Sequence, residues 1–233
     1  MKIKITPKVL KTFLDGVTGS RSEIIREGTL HIRENSISVT GMNPSHVLMV
    51  YAEAEVEVED YVECDILVDF SSLKKLTRLF DKESVITVDV QVDRVLFKQQ
   101  GAYDVSFTCI VGEPEKWPKQ PGMPYTYSVQ LNLNEVLSKF NKVEDHVGFT
   151  NVGCLMLQGA NDDVKLKTGL VKTGELDSVY RVSYFLAMVK GSTEVVFSSG
   201  VDVPAMVDFS LNGVHFIKWL APRIGDQKYG KIK

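Results

Sequence analysis

Apolar and polar residues alternate, or branched apolar residues run on, over 2–5, 23–26, 29–33, 36–40, 46–51, 53–59, 64–69, 84–90, 93–98 and 103–110, and this patterning predicts a strand at each. The same style returns at 126–133, 146–150, 153–159, 163–168, 193–199, 204–211 and 214–220. Turn-forming stretches such as Arg33-Glu34-Asn35-Ser36, Gly112-Glu113-Pro114 and Leu211-Asn212-Gly213 separate most of them. Four segments switch to spacings of three and four. They are 7–17 (Val9, Leu10, Phe13, Leu14, Val17), 71–80 (Leu73, Leu76, Leu79, Phe80), 134–143 (Val136, Leu137, Phe140, Val143) and 178–190 (Val182, Phe185, Leu186, Val189). Each predicts a short helix resting one face on a sheet.

The order of elements then repeats. A strand leads into a helix at 2–17 and again at 129–143, where Val136-Leu137 echoes Val9-Leu10 and Phe140 echoes Phe13. Strand, helix and strand recur at 64–90 and 174–199. Shared order favours an α+β chain of two similar domains, 1–110 and 126–233. Between them, 111–125 carries four prolines in the eleven residues from Pro114 to Pro124, which keep it extended and mark it as a linker. Its Trp117, Met123 and Tyr125 are apolar for a free tether and are expected to pack on something.

Composition narrows the field. A hydrophobic share of 44% and a charged share of 24% describe an ordinary globular chain, and no apolar run approaches the ~20 residues that cross a bilayer. Met1–Thr6 reads as a strand without an apolar signal core, so no membrane partner and cytosolic or nuclear residence are expected. Cys64, Cys109 and Cys154 are widely separated and read as buried thiols, while His31, His46, His146 and His215 share no ligand spacing, so no metal is expected. A net charge of -3 argues against coating DNA by bulk electrostatics, and leaves open a segregated pattern.

Such a pattern is visible. Ser71, Lys74, Lys75 and Arg78 share one stripe, Lys8 and Lys11 flank Thr12 and Asp15, Lys139 and Lys142 share a face with Glu135 and Ser138, and Arg181 sits with Tyr184 ahead of Lys190. Taken alone, each is what any solvated helix face looks like. The contrast with Glu53, Glu55, Glu57 and Glu59, alternating as if along one strand face, favours a surface that attracts phosphates without reading sequence. A hydrolase competes weakly. Ser71-Ser72-Leu73-Lys74 and Lys172-Thr173-Gly174 fit two of the three motifs of penicillin-recognising serine enzymes, but the serine-aspartate-asparagine member is missing. No P-loop, dinucleotide fingerprint or His-Glu-x-x-His motif occurs.

Two further segments, Gly41-Met42-Asn43-Pro44-Ser45-His46-Val47 and Trp219-Leu220-Ala221-Pro222-Arg223-Ile224, with Val201-Asp202-Val203-Pro204 ahead of the second, resemble hallmark segments of the DNA sliding clamp family, proliferating cell nuclear antigen. The resemblance implies the DNA-clamp fold, two domains of curved antiparallel sheets with two short helices each, closing head-to-tail into a trimeric ring. It implies helices inside the ring, with Lys8, Lys11, Lys74, Lys75, Arg78, Lys139, Lys142, Arg181 and Lys190 facing duplex DNA. It implies subunit contacts through an edge strand at Tyr103, Val105, Phe107 and Cys109 meeting another at Val164, Leu166 and Thr168. It implies a groove for partner peptides from Met42, Val47, Met123, Tyr125, Pro204, Trp219, Ala221 and Pro222, residues otherwise read as core.

The partners so implied are a clamp-loader ATPase, and DNA polymerase, flap nuclease and ligase through their clamp-binding peptides. No cofactor and no catalytic residue is implied, and residence is cytoplasmic in a prokaryote or virus-infected cell and nuclear in a eukaryote. A place as one non-identical subunit of a mixed ring, checkpoint-type or viral, stays open. Asn43 replaces the family's usual aspartate, Trp219 a common tyrosine, and Gly225 a frequent acid, which bears on which peptides bind.

Overall fold

The computed structural model describes residues 1–18, 25–81, 84–91, 94–99, 104–108, 110–111, 120–132, 146–151, 155–158, 163–166, 169–172 and 177–223. They fall into two compact units, Met1–Gln120 with Ser210–Phe216, and Pro121–Phe209 with Ile217–Lys233.

The first unit runs β1 (Lys2–Ile5), α1 (Pro7–Thr18), β2 (Glu27–Ile32), β3 (Ser36–Met42), β4 (Leu48–Glu55), β5 (Glu57–Glu59), β6 (Cys64–Asp69), α2 (Phe70–Leu76), a 3-10 turn at Thr77–Leu79, β7 (Ile86–Val90), β8 (Arg94–Gln99), β9 (Asp104–Thr108) and β10 (Ile110–Val111). One antiparallel sheet has the order β5-β1-β7-β8-β9 and the other places β10-β6-β2-β3-β4 side by side. Ile3, Ile32, Ile66, Val88 and Phe97 meet in the core, around a wholly apolar cavity of about 40 Å³. α1 starts with Pro7, whose fixed φ suits the first helical turn, and Thr6 Oγ1 accepts from Val9 N at 3.3 Å. Its Leu10, Phe13, Leu14 and Val17 are buried. Asp69 caps α2, accepting from Ser72 N at 3.1 Å and Ser72 Oγ at 2.7 Å.

The second unit contains β11 (Tyr127–Asn132), β12 (His146–Asn151), β13 (Leu155–Gln158), β14 (Asp163–Leu166), β15 (Gly169–Lys172), β16 (Asp177–Arg181), α3 (Val182–Val189) and β17 (Glu194–Ser199), while β18 (Ala205–Leu211) and β19 (Val214–Leu220) are each divided between the units, Ser210–Phe216 counting with the first. β18, β17, β11 and β15 lie side by side, and β14, β13, β12 and β16 form a second antiparallel sheet. Phe149 stacks on Phe197 at 4.8 Å between ring centroids and meets Tyr180 and Phe185 edge-on or tilted, an aromatic core.

Four expectations need correction. The helix predicted over 178–190 begins at Val182, because Ser178 and Tyr180 are buried in strand alternation and pair with Phe149 and Val147 of β12. The helix over 71–80 gives way to 3-10 geometry at Thr77. β15 was not anticipated, and Ile25 and Arg26 are not strand although 23–26 was. Glu53, Glu55, Glu57 and Glu59 do not share a strand. The chain breaks at Val56, whose N–H donates to Asn35 O at 3.0 Å, and Glu57 and Glu59 join the other sheet. There Lys4 holds both, at 2.8 and 2.7 Å. Helix 134–143 lies outside the described residues.

Gly16 gives a test of the packing. A Cβ there would run into the Phe216 ring, which belongs to the same unit. Gly→Ala in a helix interior ordinarily stabilises by up to ~1 kcal/mol, whereas overpacking costs about 1–3 kcal/mol. Gly16→Ala is therefore expected to lower stability in a denaturant melt, and a gain would contradict this packing.

Candidate functional site

The cations expected to face DNA do not behave alike. With the apolar side of α1 buried, Lys8 and Lys11 stand exposed on the other. Lys75 and Arg78 are likewise exposed. Lys74 differs. Its Nζ lies 2.6 Å from Asp15 Oδ1 and donates to Thr18 Oγ1 at 2.9 Å, while Thr18 Oγ1 donates to Leu14 O at 2.8 Å. The predicted basic stripe is thus split, with one member turned across the seam to α1. Arg181 is not inside a helix but occupies the N-cap of α3, its guanidinium over the Tyr184 ring at 5.6 Å. Lys190 follows α3 and is exposed. Lys139 and Lys142 lie outside the described residues.

The turn after β3 is built by one side chain. Asn43 is fully buried, and its Oδ1 accepts from Val47 N and Leu48 N, both at 2.9 Å. Its Nδ2 donates to Ser45 Oγ at 2.8 Å. Backbone bonds from Asn43 N to Leu48 O and from His46 N to Asn43 O, each 2.9 Å, close the loop. His46 sits at φ 57, left-handed for a residue with a Cβ. Held this way, Met42 and Val47 are half-buried at the two ends of the turn.

In the second unit the remaining groove candidates gather on a frame of hydroxyl groups. Tyr180 Oη donates to Val203 O at 2.9 Å and bonds Ser199 Oγ at 2.7 Å, and Ser178 Oγ donates to Gly200 O at 2.7 Å. These bonds fix the bend at 200–203, including Asp202 at φ 52, and so set the entry to Pro204. Burial, opposed by hydrogen bonds with Ser178 and Ser199, pushes the Tyr180 phenol up to about 12. Arg223 N donates to Val179 O at 2.8 Å, clipping the tail of Ala221 and Pro222 to β16. Pro204, Tyr125, Ala221 and Pro222 are half-buried, and Met123 is 38% exposed.

Trp219 departs from its expected place, being only 4% exposed. It underlies the surface rather than lining it. Its Nε1 is buried and makes no hydrogen bond of good geometry, yet it faces the Tyr125 hydroxyl closely enough to pull that phenol's pKa down in part. Burial still dominates and raises the Tyr125 phenol to about 12.

The strands expected to join subunits lie at sheet edges. β9 ends the first unit's sheet and β14 ends the second unit's sheet, so each presents a row of backbone groups on one side. Val105 and Phe107 fall in β9, and Val164 and Leu166 in β14; Tyr103, Cys109 and Thr168 lie outside the described residues.

Sequence reasoning missed the partners rather than the cations. Asp15 and Thr18, three apart on α1, flank the same seam, and only the neighbouring helix reveals their use. The Tyr180 frame was hidden because that residue was read as helical. The hydrolase reading finds no support: Ser72 caps α2 with Asp69, and Lys74 is engaged by Asp15 and Thr18. Among the described residues no group of three or more His, Cys, Asp or Glu could hold a metal, and no helix is long and apolar enough to cross a membrane.

Two antiparallel-sheet units, with short helices and an edge strand at the end of a sheet in each, define a DNA-clamp fold; among the described residues the second unit shows one helix. No protein-family model matches the chain. It is 27% identical to the DNA polymerase sliding clamp of Thermococcus onnurineus, over 93% of this chain and 96% of that one. Among solved structures it is similar to A. fulgidus PCNA bound to the C-terminal region of FEN-1, with TM-score 0.83, 19% identity and coverage of 97% and 99%. It is also similar to a chain of the PCNA2-PCNA3 complex from Sulfolobus tokodaii, with TM-score 0.75, 17% identity and coverage of 96% and 99%. Along nearly its whole length the chain is thus similar to DNA polymerase sliding clamps, and its fold is that of proliferating cell nuclear antigen.

Proposed function

We propose that this protein is a DNA polymerase sliding clamp, a processivity factor whose copies close into a ring of three around duplex DNA. The observation that carries the reading is likeness to DNA polymerase sliding clamps along 93% of the chain. The side chains agree with it. Exposed Lys8, Lys11, Lys75 and Arg78 give a thin positive lining that attracts phosphates without reading bases. Lys190 and Arg181 serve the same end in the second unit, and Lys139 and Lys142 are assigned to it from sequence. β9 of one copy pairs with β14 of the next, a head-to-tail contact that must close on itself or polymerise.

Partner enzymes are held by short peptides. Met42 and Val47 in the first unit, and Met123, Tyr125, Pro204, Ala221 and Pro222 in the second, offer apolar, partly exposed surface suited to an aliphatic and aromatic plug. Polymerase, flap nuclease and ligase are the proposed peptide donors, and an ATP-driven loader opens the ring. The protein forms and breaks no bond itself. It raises the local concentration of its partners at DNA, to the order of millimolar for short tethers.

Topology supplies the test. Loaded onto circular primed DNA, the protein should remain through a high-salt wash and should leave once the circle is cut. Loss at the same rate from circular and linear DNA would contradict encirclement. A mixed ring is the second reading, since a chain of the same fold occurs in a complex of two different clamp subunits. In that case this chain alone would not load, and adding a second clamp chain would restore loading.

A further inference from the structure

The seam between α1 and α2 carries an acid that the basic stripe does not need for folding. Asp15 lies in the last turn of α1, where the helix dipole disfavours a negative charge, and α1 supplies no cation of its own there. The ion pair with Lys74 is open to solvent on both sides, 32% and 44% exposed, so it contributes little to stability. Its consequence is electrostatic. Of the cations on this pair of helices, Lys74 alone has a carboxylate at 2.6 Å, while Lys8, Lys11, Lys75 and Arg78 form no ion pair among the described residues.

We infer that Asp15 is a built-in attenuator of DNA grip: by cancelling the charge of Lys74 it keeps the helix surface weakly positive, so that the ring holds DNA without pinning it. This rests on the reading that α1 and α2 face DNA. A phosphate approaching the seam meets a neutral pair instead of an ammonium. Each phosphate neutralised adds about 0.9 to the slope of log affinity against log salt, so one extra available cation is a measurable quantity.

The substitution Asp15→Asn tests it, because the amide oxygen can still accept from Lys74 Nζ while the negative charge is gone. Binding of the intact protein to a short blunt duplex is measured from 50 to 200 mM salt beside Lys75→Met and the double variant Asp15→Asn/Lys74→Met. Asp15→Asn should steepen the slope by about 1, equivalent to an additional loss of about fourfold across that salt range, and should slow diffusion along DNA. The double variant restores the original charge and should restore the original slope. Lys75→Met should make it shallower by about 1. A slope unchanged by Asp15→Asn while Lys75→Met lowers it overturns the attenuator and leaves the DNA-facing reading standing. Steepening that persists in the double variant also overturns it, since it would come from a loosened seam. If neither Asp15→Asn nor Lys75→Met alters the slope, the DNA-facing reading fails and the attenuator with it.

Discussion

Trp219→Ala is expected to lower the unfolding free energy by about 3–5 kcal/mol, the range for deleting a large buried aromatic side chain. Trp219 is 4% exposed at the end of β19, and a backbone bond from Arg223 to Val179 holds the tail that follows. Removing the indole leaves a void beside Tyr125, so peptide binding should fall even where the variant is still folded. Trp219→Tyr keeps an aromatic ring and should recover most of the stability, its hydroxyl finding the polar neighbour that the indole N–H faces. Urea denaturation and calorimetry with a clamp-binding peptide measure the two effects. A loss below ~1 kcal/mol for Trp219→Ala would mean that the residue is not core. Unimpaired peptide affinity at temperatures where the variant stays folded would remove the surface above it from the binding role.

Asn43→Ala should cost about 2–5 kcal/mol, and the reason is different. The Asn43 carbonyl oxygen is the shared acceptor of Val47 N and Leu48 N, at 2.9 Å each, in a site with no solvent exposure at Asn43 itself. Its removal strands two backbone donors, each worth roughly 1–3 kcal/mol when buried without a partner. Asn43→Asp retains the acceptor, and the Ser45 hydroxyl can reverse and donate to it. The aspartate variant should therefore be at least ~1 kcal/mol more stable than the alanine variant. A chemical melt of the three proteins decides this, and equal losses for alanine and aspartate would show that the amide donor to Ser45, rather than the shared acceptor, holds the turn. The departure from the family's usual aspartate is thus a change of donor chemistry within one turn.

Some of this architecture could be read from residue pattern and some could not. α1 was legible because Leu10, Phe13, Leu14 and Val17 repeat at helical spacing behind Pro7, with no competing period. β16 and α3 were not separable, because Val179, Tyr180 and Val182 satisfy both a period of two and a period of three to four until the register with β12 decides. The acidic run from Glu53 to Glu59 keeps its alternation across the break at Val56, so only the hydrogen bond to Asn35 reveals two strands. Helical spacing correctly placed Lys74 on the polar side of α2, but it carries no information about which residue a neighbouring helix sets opposite. Asp15 was in view and its partner was not. For Trp219 the residue type signalled apolar surroundings, while the distinction between lining a groove and lying beneath the surface depended on its 4% exposure in the folded chain. The edges at β9 and β14 came from the resemblance to sliding clamps, since alternation marks a strand but not its place in a sheet order.

The central claim is that copies of this chain close into a ring around an opening wide enough for duplex DNA. Light scattering coupled to gel filtration, with negative-stain class averages of the same peak, tests it most directly. A particle of three chain masses is expected, with a central hole lined by the α1 and α2 helices. A stable monomer that does not assemble even with a second clamp chain, or a particle without a hole, would contradict it.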